Sequence, residues 1–123
     1  MKNIETLIRQ LGHANPSVRV AAIYALALRG AAAVPHLLKA LRSNVEDIRR
    51  GAARVLERIQ DDKTAEALAD ALDDPSEQVQ WLASEALIRL GRHALAPLFR
   101  TLVLKGGSLA VRRSAHHILH DLA

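Results

Sequence analysis

The chain has 123 residues, half of them hydrophobic but only 2% aromatic, with 24% charged residues, no cysteine and a net charge of +4. Apolar content this high excludes a disordered chain, and the missing cysteines exclude disulfides and thiolate metal sites. No run approaches about 20 uninterrupted apolar residues, so no membrane span is expected.

Glu5, Arg9 and Gln10 interrupt any apolar stretch of a signal peptide near the N-terminus. A cytoplasmic setting is the expectation. The charge is unevenly spread. Residues 1–43 carry six basic and one acidic side chain, residues 44–88 five and eleven, and residues 89–123 six and one. A nucleic-acid track wants one sign along its length, and basic ends around an acidic middle argue against one.

In chain order, the periodicity predicts a short helix and then a longer one, four times over. Short helices are expected at 4–11, 34–41, 65–72 and 95–104, with Leu7/Leu11, Leu37/Leu41 and Leu68/Leu72 at i, i+4 spacing. Asn15-Pro16 and Asp74-Pro75 read as a cap followed by a first-turn proline. Asp74 with Glu77, and more weakly Asn44 with Asp47, read as capping boxes, and Ser108 caps the last helix. Gly12, Gly30 and Gly91 stand where helices end on a left-handed residue.

The long helices repeat. Anchored on Val18, Ile48, Val79 and Val111, the spacings are 30, 31 and 32 residues. Such a period means stacked helix pairs. The pattern Asn15-Pro16-Ser17-Val18-Arg19, Ala21-Ala22, Ala25-Leu26, Gly30 resembles HEAT-like repeats of the phycobilisome-lyase type. Ile48-Arg49, Ala52-Ala53 and Leu56 carry the likeness in the second unit. Asp74-Pro75, Val79, Ala86-Leu87 and Gly91 carry it in the third, and Val111-Arg112, Ala115 and Leu119 in the fourth. The resemblance implies an all-α, right-handed α-α solenoid of four HEAT-like helix pairs, about eight helices. It forms one domain over residues 1–123, with repeats near 1–30, 31–60, 61–91 and 92–123. Gln80 departs from the pattern where the other units have arginine, and Gly106-Gly107 lengthens the last linker.

Comparison of the four units separates core from surface. Counting from the anchor, position +4 reads Ala22, Ala52, Ala83, Ala115. Position +7 reads Ala25, Val55, Ala86, Ile118, and position +8 reads Leu26, Leu56, Leu87, Leu119. At about 100° per residue these share one side and form the expected core. Positions +2, +6 and +9 are heterogeneous and hold the only Tyr and the only Trp. Tyr, Trp and Arg are enriched at binding hot spots, so Tyr24, Arg50, Arg54, Trp81, Glu85, Arg113 and His117 are the expected partner-facing residues. Arg50 or Arg54 beside Trp81 is the expected cation–π contact. Arg19, Arg49 and Arg112 recur at +1, and a charge repeated at a fixed place reads as structural. Acidic groups or helix-end carbonyls of a neighbouring repeat are their expected partners.

Little chemistry is built in. His116, His117 and His120 have helical spacing suited to chelating a divalent metal, but a stable site needs a third ligand; Asp121 lies on a neighbouring face and needs distortion to reach it, and Glu85 or His93 serves only if the fold brings it close. No histidine is followed by glutamate, so the His-Glu iron signature of the HEAT-like deoxyhypusine hydroxylases is absent. No serine sits in a Gly-x-Ser-x-Gly elbow. The sequence therefore reads as a protein–protein scaffold and not an enzyme, with a protein partner and no cofactor. A nucleic-acid-binding module and a metal-binding or lyase-related accessory subunit are the alternatives. Neither end carries a distinctly polar helix, so self-association through a solenoid end, with Gly106-Gly107 as hinge, is a further expectation.

Overall fold

Asn3, Asn15, Ser76 and Ser108 cap the starts of four helices, and three helices end on residues with positive φ. The computed structural model describes residues 2–123. Helix α1 spans Ile4–Gln10, α2 Pro16–Arg29, α3 Val34–Ala40, α4 Glu46–Ile59, α5 Ala65–Asp70, α6 Glu77–Leu90, α7 Leu95–Lys105 and α8 Leu109–Leu122. Among the described residues there is no strand. The eight expected helices do not stand apart. Tight 3-10 turns at Gly30–Ala33 and Gly91–Ala94 join α2 to α3 and α6 to α7, and two more flank α5. The chain thus forms six uninterrupted helical stretches, because i→i+3 bonding absorbs the connecting residues.

The stretch Pro16–Ala40 is long enough and, with a mean hydropathy of 1.4, apolar enough to meet the length and composition of a membrane span. The sequence shows no uninterrupted apolar run there, because Arg19, Arg29 and Lys39 break it. The stretch is not one straight rod. Gly30 adopts φ +57°, and both halves feed the same core through Ala22, Leu26, Ala33, Leu37 and Ala40.

Two starts follow the expected caps. The Asn15 side chain accepts from the Ser17 N–H ahead of Pro16, and the Ser108 hydroxyl accepts from the Val111 N–H. Two do not. Ser76, not Asp74, caps α6 by accepting from Val79, which frees Asp74 for the Arg49 contact described below. Helix α4 starts on Val45 without a side-chain cap, and Ser43 accepts from the Val45 N–H instead of any box between Asn44 and Asp47. Gly12 is also not left-handed; a Cβ there would come within 2.9 Å of the Ile48 side chain, so close approach explains it.

Gly30 and Gly91 do turn the chain with positive φ, and the equivalent residue of the second unit is Gln60, at φ 57° and ψ 50°. A side chain in the left-handed region costs about 1 kcal/mol. Gln60→Gly is therefore expected to raise unfolding free energy by about 1 kcal/mol, read by urea denaturation. A destabilised variant would show that Gln60 makes a contact of greater worth.

The long helices pack side by side in the order α2, α4, α6, α8, and each short helix packs on the long helix that follows it. The core lies between these layers. At +4, Ala22, Ala52, Ala83 and Ala115 are all buried, as are Val55, Ala86 and Ile118 at +7 and Leu26, Leu56 and Leu87 at +8. Ala25 and Leu119, in the two terminal units, are partly covered. Small residues let the helices approach closely. Gly51 is the extreme case, where a Cβ would lie 2.9 Å from Leu11.

The +1 residues form a ladder. Arg19 donates to the His13 carbonyl at 2.7 Å, Arg49 to Ser43 at 3.0 Å and Arg112 to Gly106 at 3.2 Å. Gln80 donates to the Asp74 carbonyl at 2.7 Å, so the amide does the same work as the guanidinium it replaces. In each unit the bond reaches six residues back and ties the turn between the two helices to the long helix. The carbonyls belong to the same unit, not to a neighbour. Only Arg49 also reaches onward: its Nε and Nη2 grip the Asp74 carboxylate at 2.9 and 3.3 Å.

Candidate partner-binding ridge

The free side of the long-helix layer is set by i, i+4, i+8 rows. On α2 the row is Val20, Tyr24, Leu28, and on α4 it is Arg50, Arg54, Arg58. On α6 it is Trp81, Glu85, Arg89, and on α8 Arg113, His117, Asp121. The outer row is centred on +2, +6 and +10, not on +2, +6 and +9 as the sequence reading had it. Glu57 and Ile88 at +9 turn toward neighbouring helices and are partly buried, whereas Leu28, Arg58, Arg89 and Asp121 at +10 are exposed. Residues four apart, about one turn, share a helix face, and the +10 column mixes Leu, Arg and Asp in the sequence.

The ridge is stitched between helices. Tyr24 is 51% exposed, and the Arg58 guanidinium carbon sits 4.7 Å from its ring centroid. Arg58 also donates to the Tyr24 hydroxyl at 3.4 Å. This is the cation–π pair of the ridge; Arg50 and Arg54 do not form it with Trp81. Trp81, 55% exposed, instead stacks on His117, with ring centroids 4.8 Å apart and planes at 17°. The His117 Nε2 lies 3.1 Å from Glu85 Oε2. Arg89 pairs with Glu57 at 3.7 Å.

Trp81 stands between two open grooves. The one between α4 and α6 is lined by Arg50, Arg54, Glu77, Gln78, Trp81 and Leu82. The one between α6 and α8 includes Trp81, Ser84, Arg113 and His117. Arg50 is held by Glu46 at 3.1 Å, by Asp47 and by the Gln78 side chain at 2.8 Å. Arg54 is exposed on the same groove and has no ion pair or hydrogen bond to another described residue. Five of the seven expected residues, Arg50, Arg54, Trp81, Arg113 and His117, thus line the grooves, and Glu85 lies against His117. Tyr24 lies beyond, paired with Arg58, which the sequence reading missed.

The three histidines do not gather. His116 and His120 are exposed, and His117 turns to Glu85 on α6, with a carboxylate oxygen of Asp121, one turn on along α8, within 4.8 Å. Residues one apart on a helix point about 100° apart, so His116 and His117 cannot share a ligand.

Two layers of helix pairs with this repeat are matched by a family model for HEAT repeats, over residues 4–88 and 34–120. The chain belongs to the HEAT-repeat family. Among solved structures, this HEAT-repeat chain is similar to the complex of CpcE and CpcF of phycocyanin lyase from Nostoc sp. PCC7120. Identity is 27%, with 97% of this chain and 77% of that one covered and a TM-score of 0.75. It is also similar to an engineered protein (22% identity, 99% and 63% covered, TM-score 0.60). A third likeness is to a designed armadillo repeat protein in complex with the peptide (KR)4 (20% identity, 98% and 69% covered, TM-score 0.51). The last two show the fold alone. No curated protein matches. The likeness to a phycocyanin lyase subunit supports the phycobilisome-lyase type of HEAT-like repeat. It also overturns the expectation of a non-enzyme, because it points to a lyase-related function.

Proposed function

We propose that this HEAT-repeat chain is a lyase-related subunit that works in complex with a protein partner, engaged through the ridge of α2, α4, α6 and α8. The observation that carries the reading is the 27% identity with the CpcE–CpcF lyase complex over 97% of the chain. The ridge adds physical support. It exposes the chain's only Trp and only Tyr beside a column of three arginines on α4. In a right-handed superhelix of four such pairs this layer lines the concave side, where one partner segment touches several repeats. Arg54, with no ion pair among the described residues, suits an acidic group on that partner.

The test is a phycocyanin-lyase assay on the purified chain, alone and with the protein that co-purifies with it. Activity only with both supports the reading. No activity in either sample, with the complex intact, removes the lyase part and leaves the interaction. A nucleic-acid ligand fits the ridge less well, since Glu46 and Asp47 already neutralise Arg50 and the neighbouring α6 row carries the Glu85 carboxylate.

A second reading rests on a different surface. Phe99, Val103, Leu104 and Leu109 on the last helix pair are 49–84% exposed. Large exposed apolar side chains this close together suit self-association through that end. Light scattering is expected to show mass rising with concentration, and Val103→Lys to abolish the rise. A constant monomer mass at high concentration contradicts it.

A further inference from the structure

We propose that Glu85, His117 and Asp121 form a divalent-metal site, of the kind that takes Zn²⁺, at the α6–α8 end of the ridge. One ligand atom from each residue lies within 4.8 Å of the others. The set is assembled across two helices that pack directly on each other, α6 giving Glu85 and α8 giving His117 and Asp121. His117 and Asp121 are one turn apart on α8 and face the same way. An imidazole nitrogen with two carboxylates is a mixed nitrogen–oxygen set whose two negative charges balance a divalent cation.

The geometry is close to what an ion requires. With bonds of about 2.0–2.2 Å, neighbouring ligand atoms in a tetrahedral site lie about 3.3 Å apart. His117 Nε2 and Glu85 Oε2 already stand 3.1 Å apart, so the ion takes the place of the proton between them. Asp121 is exposed, and its ligand oxygen lies within 4.8 Å of the other two donor atoms. The other groups hold the ligands in place. Trp81 stacks on the His117 ring and limits its rotation, and both His117 and Glu85 are half-buried. His120 Nδ1 lies 3.3 Å from Asp121 Oδ1, an outer-shell contact that orients the carboxylate. Three protein ligands on an exposed edge leave the fourth position to water or to a partner's donor.

The structure also supplies the readout. Trp81 is the only Trp in the chain and stacks on a proposed ligand. The experiment titrates Zn²⁺ into the full chain without a histidine tag, following Trp81 emission and calorimetric heat, with Co²⁺ absorption as a second probe. The expected result is saturation at one ion per chain, with Zn²⁺ raising the melting temperature. Glu85→Gln and Asp121→Asn weaken binding at least tenfold, His116→Gln leaves it unchanged, and His120→Gln weakens it about tenfold. Asp121→Asn is an exposed, nearly isosteric change, so its loss of binding with an unchanged metal-free melting curve is separate from misfolding. No saturable binding overturns the proposal. So does Zn²⁺ binding that survives Glu85→Gln and Asp121→Asn but is lost in His116→Gln, which places the ion on the exposed histidines. Partner capture does not enter the measurement, so its outcome is independent of the proposed function.

Discussion

Arg49→Ala is expected to lower the unfolding free energy by about 3 kcal/mol, the usual cost of stripping one partner from a buried ion pair. Of the four ladder residues only Arg49 spans two repeats. It ties the turn before α4 through the Ser43 carbonyl and reaches Asp74, at the turn before α6, with two nitrogens. The Arg49 and Asp74 side chains are 14% and 7% exposed, so water screens the pair little. Without Arg49, Asp74 keeps only the Ser76 N–H as donor, at 2.9 Å. Lysine is a poor substitute, because a single ammonium cannot reach the carbonyl and both carboxylate oxygens together. Arg19→Ala and Arg112→Ala remove exposed bonds to carbonyls alone and are expected to cost about 1 kcal/mol each. Urea denaturation of the three alanine variants makes the comparison. An Arg49→Ala loss equal to that of Arg19→Ala would show that the inter-repeat clasp adds nothing.

The second large effect falls on binding. Tyr24→Ala and Trp81→Ala are each expected to weaken the partner complex by about 2 kcal/mol, roughly 30-fold, as aromatic hot spots do. Each ring is already held in place by its neighbour, Tyr24 by Arg58 and Trp81 by His117, so little side-chain freedom remains to be lost on binding. Both rings are half-exposed, and stability is expected to change by less than about 1 kcal/mol. Lys39→Ala, on the short helix α3, serves as the control that leaves affinity unchanged. Calorimetric titration with the co-purified partner checks all three. Equal affinities throughout would place the interface off the ridge.

Much of this fold was legible because its signals are local. Alanine at +4 and leucine at +8 report burial directly, and Asn15-Pro16 and Ser108 report helix starts through short side-chain contacts. What escaped depends on tertiary neighbours. Asp74 reads as a helix cap in isolation, but Arg49, twenty-five residues earlier, claims its carboxylate, and Ser76 caps instead. Gln60 gives no turn signal at all; its left-handed backbone follows from the repeat's geometry, which demands positive φ there whatever the residue. On the ridge, the residue types were visible but their pairing was not. A cation–π contact between Arg58 and Tyr24 links positions thirty-four apart, and only packing of α4 on α2 brings them together. The gathering of Glu85 with His117 and Asp121 is likewise a product of α6 against α8; the sequence offers both carboxylates as candidates beside the histidines, but only packing decides which of them meet.

Affinity capture from native lysate, with wild type beside the Tyr24→Ala/Trp81→Ala double variant and with nuclease-treated samples in parallel, tests the central claim most directly. A lyase-related HEAT-repeat subunit with its interface on the ridge is expected to retain one protein stoichiometrically. That protein is lost by the double variant and indifferent to nuclease. Equal capture by both chains, or capture that vanishes with nuclease, would contradict it.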